Sequence, residues 1–252
     1  MSNLALGCTL IFIIFTMLLS NRQRLGLEKD IAIGTVRSAV QLLLIGYVLH
    51  FVFDARNPWV IVLMVLIMTV IAAWNAGGRT RRLKGIRLRI WLSIGCTEAV
   101  TMALLLGLNI IEPLAQYIIP ISGITIGSAM IVSGLFLNQM KREVETSRGE
   151  MEALLALGST ARQAVQSSLK RAVRASMIPT VDGMKTVGLV QLPGMMTGMI
   201  VAGADPIQAV RYQLLIMFIL TASAALTAIL LSTLSYRLWF TDDLRIVQQQ
   251  DA

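Results

Sequence analysis

Seven stretches of this chain are candidates to cross a membrane, and they limit its fold more than any single motif does. They run over 4–20, 31–53, 58–76, 88–110, 114–138, 186–203 and 207–235. A helix needs about 20 such residues to span the hydrocarbon. In lipid every backbone N–H and C=O must find its partner inside the protein. The chain is therefore expected to be an all-α integral membrane protein with about seven transmembrane helices. Composition agrees, with 56% hydrophobic and only 14% charged residues, where a soluble domain carries roughly a quarter charged. Cys8 and Cys96 both lie in apolar runs and His50 is the single histidine, so neither a disulfide framework nor a zinc site is expected.

The net charge of +8 has a simple origin. The basic residues fall between the apolar runs, and no nucleic-acid-reading motif accompanies them, so lipid rather than nucleic acid is the expected partner. They also alternate. After the first span come Arg22, Arg24 and Lys29, and after the second only Arg56. The third loop carries Arg79, Arg81, Arg82, Lys84, Arg87 and Arg89, and the fourth, "IEP", none. The fifth carries Lys141, Arg142, Arg148, Arg162, Lys170, Arg171 and Arg174. The sixth, "GADP", carries none, and Arg237 and Arg245 follow the last span. Basic loops stay in the cytoplasm. The expected topology has the N-terminus outside and the C-terminus cytoplasmic, in a multi-pass protein of the inner (plasma) membrane. The first run has no positive charge before it, unlike a signal peptide. With no linker or low-complexity segment, 1–252 is expected to form one transmembrane domain.

The largest polar stretch, about 139–180, is too short to bury a core of its own. Within it "TSRGEMEALLALG" has helix punctuation. Thr146 or Ser147 can cap the start, and Glu150 and Glu152 sit near the positive end of the helix dipole. Met151, Leu154 and Leu155 make an apolar stripe that Leu157 can extend, and Gly158 suits the left-handed residue that closes a helix. Ser159 or Thr160 can cap a second helix, expected to end at Pro179. Two readings stand side by side: cytoplasmic coupling helices that dock in a protein groove, or amphipathic helices lying on the membrane surface.

Glu152, Ala153 and Gly158 in "EALLALG" resemble the cytoplasmic loop of ABC-transporter permeases, where such a helix fits a cleft on the ATPase subunit. The Ile-x-Leu-Pro usual in that loop is absent here. A longer stretch, "IPTVDGMKTVGLVQLPGMMTGMIVAGADPIQAVRYQ" (178–213), together with "VRSAVQLLLIGYVL" (36–49) and "RAVRASMIPTVD" (171–182), resembles the FetB-like family of iron-export permeases. That family includes plant aluminium-tolerance permeases. The resemblance implies a permease subunit that pairs with a separate ABC ATPase and with a second copy of itself. It also implies export of metal ions across the membrane. ATPase coupling is implied by the permease-loop resemblance at Glu152, Ala153 and Gly158, and the adjoining Glu150 and Arg162 are expected to share it. The chain lacks Gly-x-x-x-x-Gly-Lys-Ser/Thr, the phosphate cradle of P-loop proteins. It is thus expected to bind no cofactor and to be no enzyme, with ATP bound by the partner.

Charges within the spans are costly and therefore informative. Arg37 and Gln41 lie one turn apart on span 2, and Glu98 is near the middle of span 4. One reading is a substrate pathway with a cation site on Glu98, Gln41 as an oxygen donor and Arg37 as gate. The other is a structural Arg37–Glu98 pair. In span 6, Gln191, Pro193 and Thr197 are pathway candidates, because a broken helix exposes carbonyls. Gly194 and Gly198, like Gly123 and Gly127 in span 5, are spaced for close helix packing or a dimer contact. Met195, Met196 and Met199 are expected to pack rather than to bind a soft metal. An ion-coupled secondary transporter or channel is the alternative function. An intramembrane enzyme is disfavoured, since neither His-Glu-x-x-His nor a paired Ser and His occurs in the spans.

Overall fold

The computed structural model describes residues 3–55, 57–78, 83, 85–241, 243 and 245–247. Arg56 and most of the basic loop, Arg79, Arg81, Arg82 and Lys84, lie outside the described residues. The helices, in chain order, are α1 (Asn3–Arg22), α2 (Glu28–Ala55), α3 (Pro58–Gly77), α4 (Ile86–Gly107), α5 (Ala115–Thr146), α6 (Arg148–Ala156), α7 (Ala161–Thr186), α8 (Gly194–Val201) and α9 (Pro206–Ser235). A 3-10 turn, Tyr236–Trp239, follows α9. There is no strand among the described residues. Five helices, α2, α3, α4, α5 and α9, are long and apolar enough to cross a membrane, and α1 is apolar over Thr9–Arg22.

The sixth expected span is the exception. Residues 186–203 are apolar, yet they do not form one helix. Val187 is extended, Gly188 is left-handed at φ +84°, and Pro193 begins α8 as its N-cap. Proline also biases the residue before it toward extended backbone. What remains is a tight turn held by Gly188 N–H donating to the Gln191 carbonyl over 3.0 Å, then the 8 residues of α8. At 1.5 Å per residue α8 is about 12 Å long, well short of a roughly 30 Å hydrocarbon layer. Two helices also outrun their expected ends. α5 continues to Thr146, eight residues beyond 138. α7 runs through Pro179 to Thr186, so Pro179 does not stop it. A mid-helix proline costs about 3 kcal/mol, and the packing of α7 along both α5 and α9 offsets that.

The chain forms two compact units, Met1–Asn57 and Pro58–Ala252. The first is the α1–α2 hairpin. Its turn contains Arg24 and Gly26 at positive φ. Ser20 ties the turn together, donating to Glu28 Oε1 over 2.9 Å and accepting from Leu27 N–H over 3.3 Å.

The second unit is built around α5, which packs against α3, α4, α7 and α9. Its core joins Ile90 and Ile94 of α4 to Phe136, Leu137 and Met140 of α5 and Leu231 of α9, all fully buried. Small residues such as Ala72, Ala76, Ala129 and Ala228 are buried at the helix crossings, where they let backbones approach. One crossing requires glycine. A Cβ on Gly77 would sit 2.7 Å from Arg87 Cγ, and the Arg87 guanidinium lies 4.1 Å from the centre of the Trp74 ring. Asp205 caps α9, its Oδ1 accepting from the N–H groups of Ile207 at 2.7 Å and Gln208 at 3.1 Å, with Pro206 at the first helical position. After the 3-10 turn the tail folds back: Phe240 pairs with Ile246, and Trp239, Phe240 and Ile246 join the core that also holds Met151 and Val165.

Candidate functional site

Glu98 lies twelve residues into α4, about 18 Å along a helix of roughly 33 Å, and is 5% exposed. Thr125 of α5 donates its hydroxyl to Glu98 Oε2 over 2.5 Å. Among the described residues Glu98 Oε1 and the neighbouring Ser122 Oγ are both buried without a hydrogen-bond partner. On the adjoining face of α4 a line of hydroxyls runs toward α9. Thr227 Oγ1 donates to Thr97 Oγ1 over 3.0 Å, and Thr101 Oγ1 lies 3.4 Å from Ser223 Oγ. The centre of the α4, α5 and α9 packing is therefore a polar seam inside an apolar shell.

The chemistry of this seam follows from its composition. One carboxylate and several hydroxyls form a set of hard oxygen donors, suited to hard cations or to a proton. No three His, Cys, Asp or Glu side chains gather to hold a metal among the described residues. A single carboxylate does not make a tight divalent site. A buried carboxylate is stable only when paired or neutralised.

The polar element at α6 and α7 has the glycine turn and the second cap that its sequence punctuation predicts, but not the first cap and not the stop at Pro179. Ser147 precedes α6, although its side chain caps no N–H. Met151 is buried at 1% exposure and anchors the helix, while Glu150, Glu152 and Ala153 face outward. Arg148 Nε donates to Glu152 Oε1 over 2.7 Å along the outer face. Gly158 is left-handed at φ +85° with nothing within 4 Å of an added Cβ. Leu157 does not extend the apolar stripe: Met151 is buried and Leu154 and Leu155 are half-buried, but Leu157, past the last turn of α6, is 85% exposed. Thr160 then starts α7 with a full capping box: Thr160 Oγ1 accepts from Gln163 N–H, and Gln163 Oε1 accepts from Thr160 N–H over 2.9 Å. Arg162, in the first turn of α7, is exposed. Arg171 locks the element to α5, donating to Glu143 Oε2 over 2.6 Å and to Ser147 Oγ over 2.9 Å.

The other expected site residues are placed as follows. Arg37 and Gln41 are exposed on α2 of the first unit. Gln191 closes the turn after α7 and is exposed; Pro193 caps α8. Thr197 is exposed and donates back to the Pro193 carbonyl over 3.1 Å. These three do not join the Glu98 seam, because α8 packs against α9 and buries none of its residues. Pro193 accordingly starts a helix rather than kinking one. Of the glycines, Gly123 meets Met68 at 3.4 Å, while Gly127, Gly194 and Gly198 have nothing within 4 Å of an added Cβ. Close packing inside the chain does not explain the last three. Thr97, Thr101, Ser122, Thr125, Ser223 and Thr227 were not expected. Their signal was present as hydroxyl pairs three or four residues apart within apolar spans.

Comparison with known proteins gives the chain relatives along its whole length. It is 48% identical over 250 residues to the UPF0014 membrane protein YjkA of Bacillus subtilis, covering 99% of this chain and 100% of that one. It is 36% identical over 249 residues to the Probable iron export permease protein FetB of Escherichia coli, covering 99% and 96%. It is 37% identical over 235 residues to Protein ALUMINUM SENSITIVE 3 of Arabidopsis thaliana, covering 93% and 86%. No solved structure matches. The sequence model of one family, described as Uncharacterised protein family (UPF0014), matches residues 3–240, and the chain belongs to that family.

Proposed function

We propose that this chain is the membrane-spanning permease subunit of an ABC transporter in the plasma membrane, working as a pair of copies and exporting metal ions. Iron is the first candidate cargo, from the name of the Escherichia coli relative. ATP is bound and hydrolysed by a separate ATPase subunit, consistent with the missing P-loop motif, and the chain itself carries no cofactor. The observation that carries this reading is the α6–turn–α7 element. It presents Leu157, almost fully exposed, beside outward-facing Glu150, Glu152 and Ala153. The turn is fixed by a left-handed glycine and a capping box, and the element is anchored by Met151. An apolar side chain held out by a fixed turn, on an element whose Glu150 and Glu152 also face outward, suits a groove on another protein better than an anionic membrane surface. ATP-driven closure of two ATPases would then move this element, and transport follows only if the two conformations bind cargo differently.

The decisive experiment is co-expression of the chain with a candidate ABC ATPase. The expected result is a co-purified complex whose ATP hydrolysis rises on adding ferrous ion. Glu152→Lys and Gly158→Leu are expected to abolish that rise while the chain stays folded. A folded chain that never retains an ATPase, or a complex indifferent to both substitutions, sinks the reading. The buried, half-paired Glu98 favours one alternative, a proton- or cation-coupled transporter. That alternative requires uptake or release driven by an ion gradient in vesicles containing this chain alone.

A further inference from the structure

Two adjoining cavities lie between α7 and α9, away from Glu98 and independent of the transport reading. The outer, of about 670 Å³, opens between the start of α7 and the turn after α9 and is lined by Arg162, Arg237 and Phe240. The inner, of about 300 Å³, continues along both helices past Lys170 to Leu169, Val173 and Ile229. Arg162 and Tyr236 line both cavities, so they form one cleft. On α7 the lining residues 162, 166, 169, 170 and 173 share a helical face, and so do 229, 232 and 233 on α9, with Tyr236 just past its end. The cleft therefore runs along the two helices with a gradient. Arg237 lies at one end and Leu169, Val173 and Ile229 give an apolar wall at the other, with Arg162 and Lys170 between them. α9 belongs to a segment long and apolar enough to cross a membrane, and Ile229, at the inner end, is half exposed.

We infer that this cleft binds one anionic phospholipid. The phosphate meets Arg162, Arg237 and Lys170, and an acyl chain lies against Leu169, Val173 and Ile229. Among the described residues none of the three cations has an ion-pair partner, and no carboxylate lines either cavity. An anion is what the cleft lacks. A soluble anion would leave the apolar end empty, and an acyl chain alone would leave the cations unpaired. Basic pockets against a spanning helix recognise anionic headgroups, and long basic side chains reach such headgroups over apolar stems.

The test uses the full chain, delipidated in a neutral detergent, and reads its thermal midpoint on titration with three probes. These are dioleoyl-phosphatidylglycerol, dioleoyl-phosphatidylcholine and the soluble headgroup glycerophosphoglycerol. A saturable rise with phosphatidylglycerol only is expected. Lys170→Gln with Arg237→Gln weakens that lipid by about fivefold per charge removed, while the control Lys141→Gln with Lys185→Gln does not. An equal rise with phosphatidylcholine, or with glycerophosphoglycerol, overturns the proposal. Should the double variant fold poorly, the comparison of the three probes on the unaltered chain decides alone. If instead the variant keeps phosphatidylglycerol binding but loses a co-expressed protein partner, the cleft is a protein docking site and the lipid assignment fails.

Discussion

Thr125 gives its single hydroxyl proton to Glu98, 2.5 Å away and buried with it between α5 and α4. The same hydroxyl oxygen lies 3.0 Å from the Ser122 carbonyl and 3.1 Å from the Ile121 carbonyl, to which it would otherwise donate. The carboxylate is the stronger acceptor, and the distance is that of a charge-assisted bond. Glu98 is thus held by Thr125 on one oxygen with the Ser122 hydroxyl close by, while Oε1 meets no partner at full hydrogen-bond geometry among the described residues.

Replacing Glu98 by Gln keeps the volume and a carbonyl for Thr125 but removes the charge. Thermal stability in detergent is expected to stay within about 1 kcal/mol, because the hydrogen bond survives. Cargo-stimulated ATP hydrolysis in the reconstituted complex is expected to vanish. Thr125→Val should do the reverse. It leaves a buried carboxylate without its donor and destabilises the fold by roughly 1–3 kcal/mol, yet stimulation persists where the protein is folded. Unchanged stimulation in Glu98→Gln would assign the residue to structure.

Gly158 separates backbone from contact. An added Cβ meets nothing within 4 Å, so Gly158→Ala carries only the left-handed penalty, about 1–2 kcal/mol, and Gly158→Asn less. Both variants are expected to fold. Coupling to the ATPase should fall in the order Gly, Asn, Ala if the turn must hold Leu157 outward. Leu157→Ser should cost almost no stability, as Leu157 is exposed, but should weaken ATPase retention. Full retention by Leu157→Ser would remove the exposed leucine from the docking face.

These residues also show which parts of the fold were open to sequence reasoning. The α6–turn–α7 element follows from local rules: Gly158 is left-handed because no other residue is comfortable there, and Thr160 and Gln163 form a box three residues apart. The α2, α3, α4, α5 and α9 spans follow from hydropathy and length. Pro179 and the 186–203 stretch do not, and for opposite reasons. At Pro179 the packing of α7 on α5 and α9 overrides a local breaker. At 187–193 a left-handed glycine and a proline override an apolar composition. The partners of Glu98 lie 27 residues away, at Thr125, and the Thr97–Thr227 bond spans 130 residues. The hydroxyls recur three or four residues apart within the spans, but that spacing does not name the helix each one pairs with. A lone threonine in an apolar run bonds its own helix as readily as a neighbour.

Gly77 and Gly127 make contrasting tests of the small-residue crossings. Gly77→Ala forces Arg87 off its place at 2.7 Å and off the Trp74 ring, and should destabilise the chain by about 1–3 kcal/mol. Gly127→Ala fills open space within a helix and should stabilise it by roughly 0.5–1 kcal/mol. If Gly127 faces a second copy, as the dimer reading holds, the bulkier Gly127→Leu should shift the particle from dimer to monomer in light scattering while the thermal midpoint of the monomer holds. A Gly127→Leu variant that stays dimeric places the copy–copy contact elsewhere.

Arg171 is the last test, and it concerns force rather than recognition. Its guanidinium reaches Glu143 of α5, Ser147 ahead of α6 and Ser168 of α7, at 2.6, 2.9 and 3.0 Å. An element that transmits motion from a docked partner to the spans must be tied to them, and this side chain is a tie among three helices. Arg171 is half exposed while Glu143 is largely covered, so solvent screening limits the pair's contribution to stability to about 1 kcal/mol. Arg171→Lys keeps the charge but loses the planar fork that serves three acceptors at once. It should therefore melt within a few degrees of the parent, retain the ATPase, and hydrolyse ATP without the normal response to cargo. Loss of ATPase retention instead would mean that Arg171 shapes the docking face, and a normal cargo response would show that α6 is coupled to the spans through Met151 and the core alone.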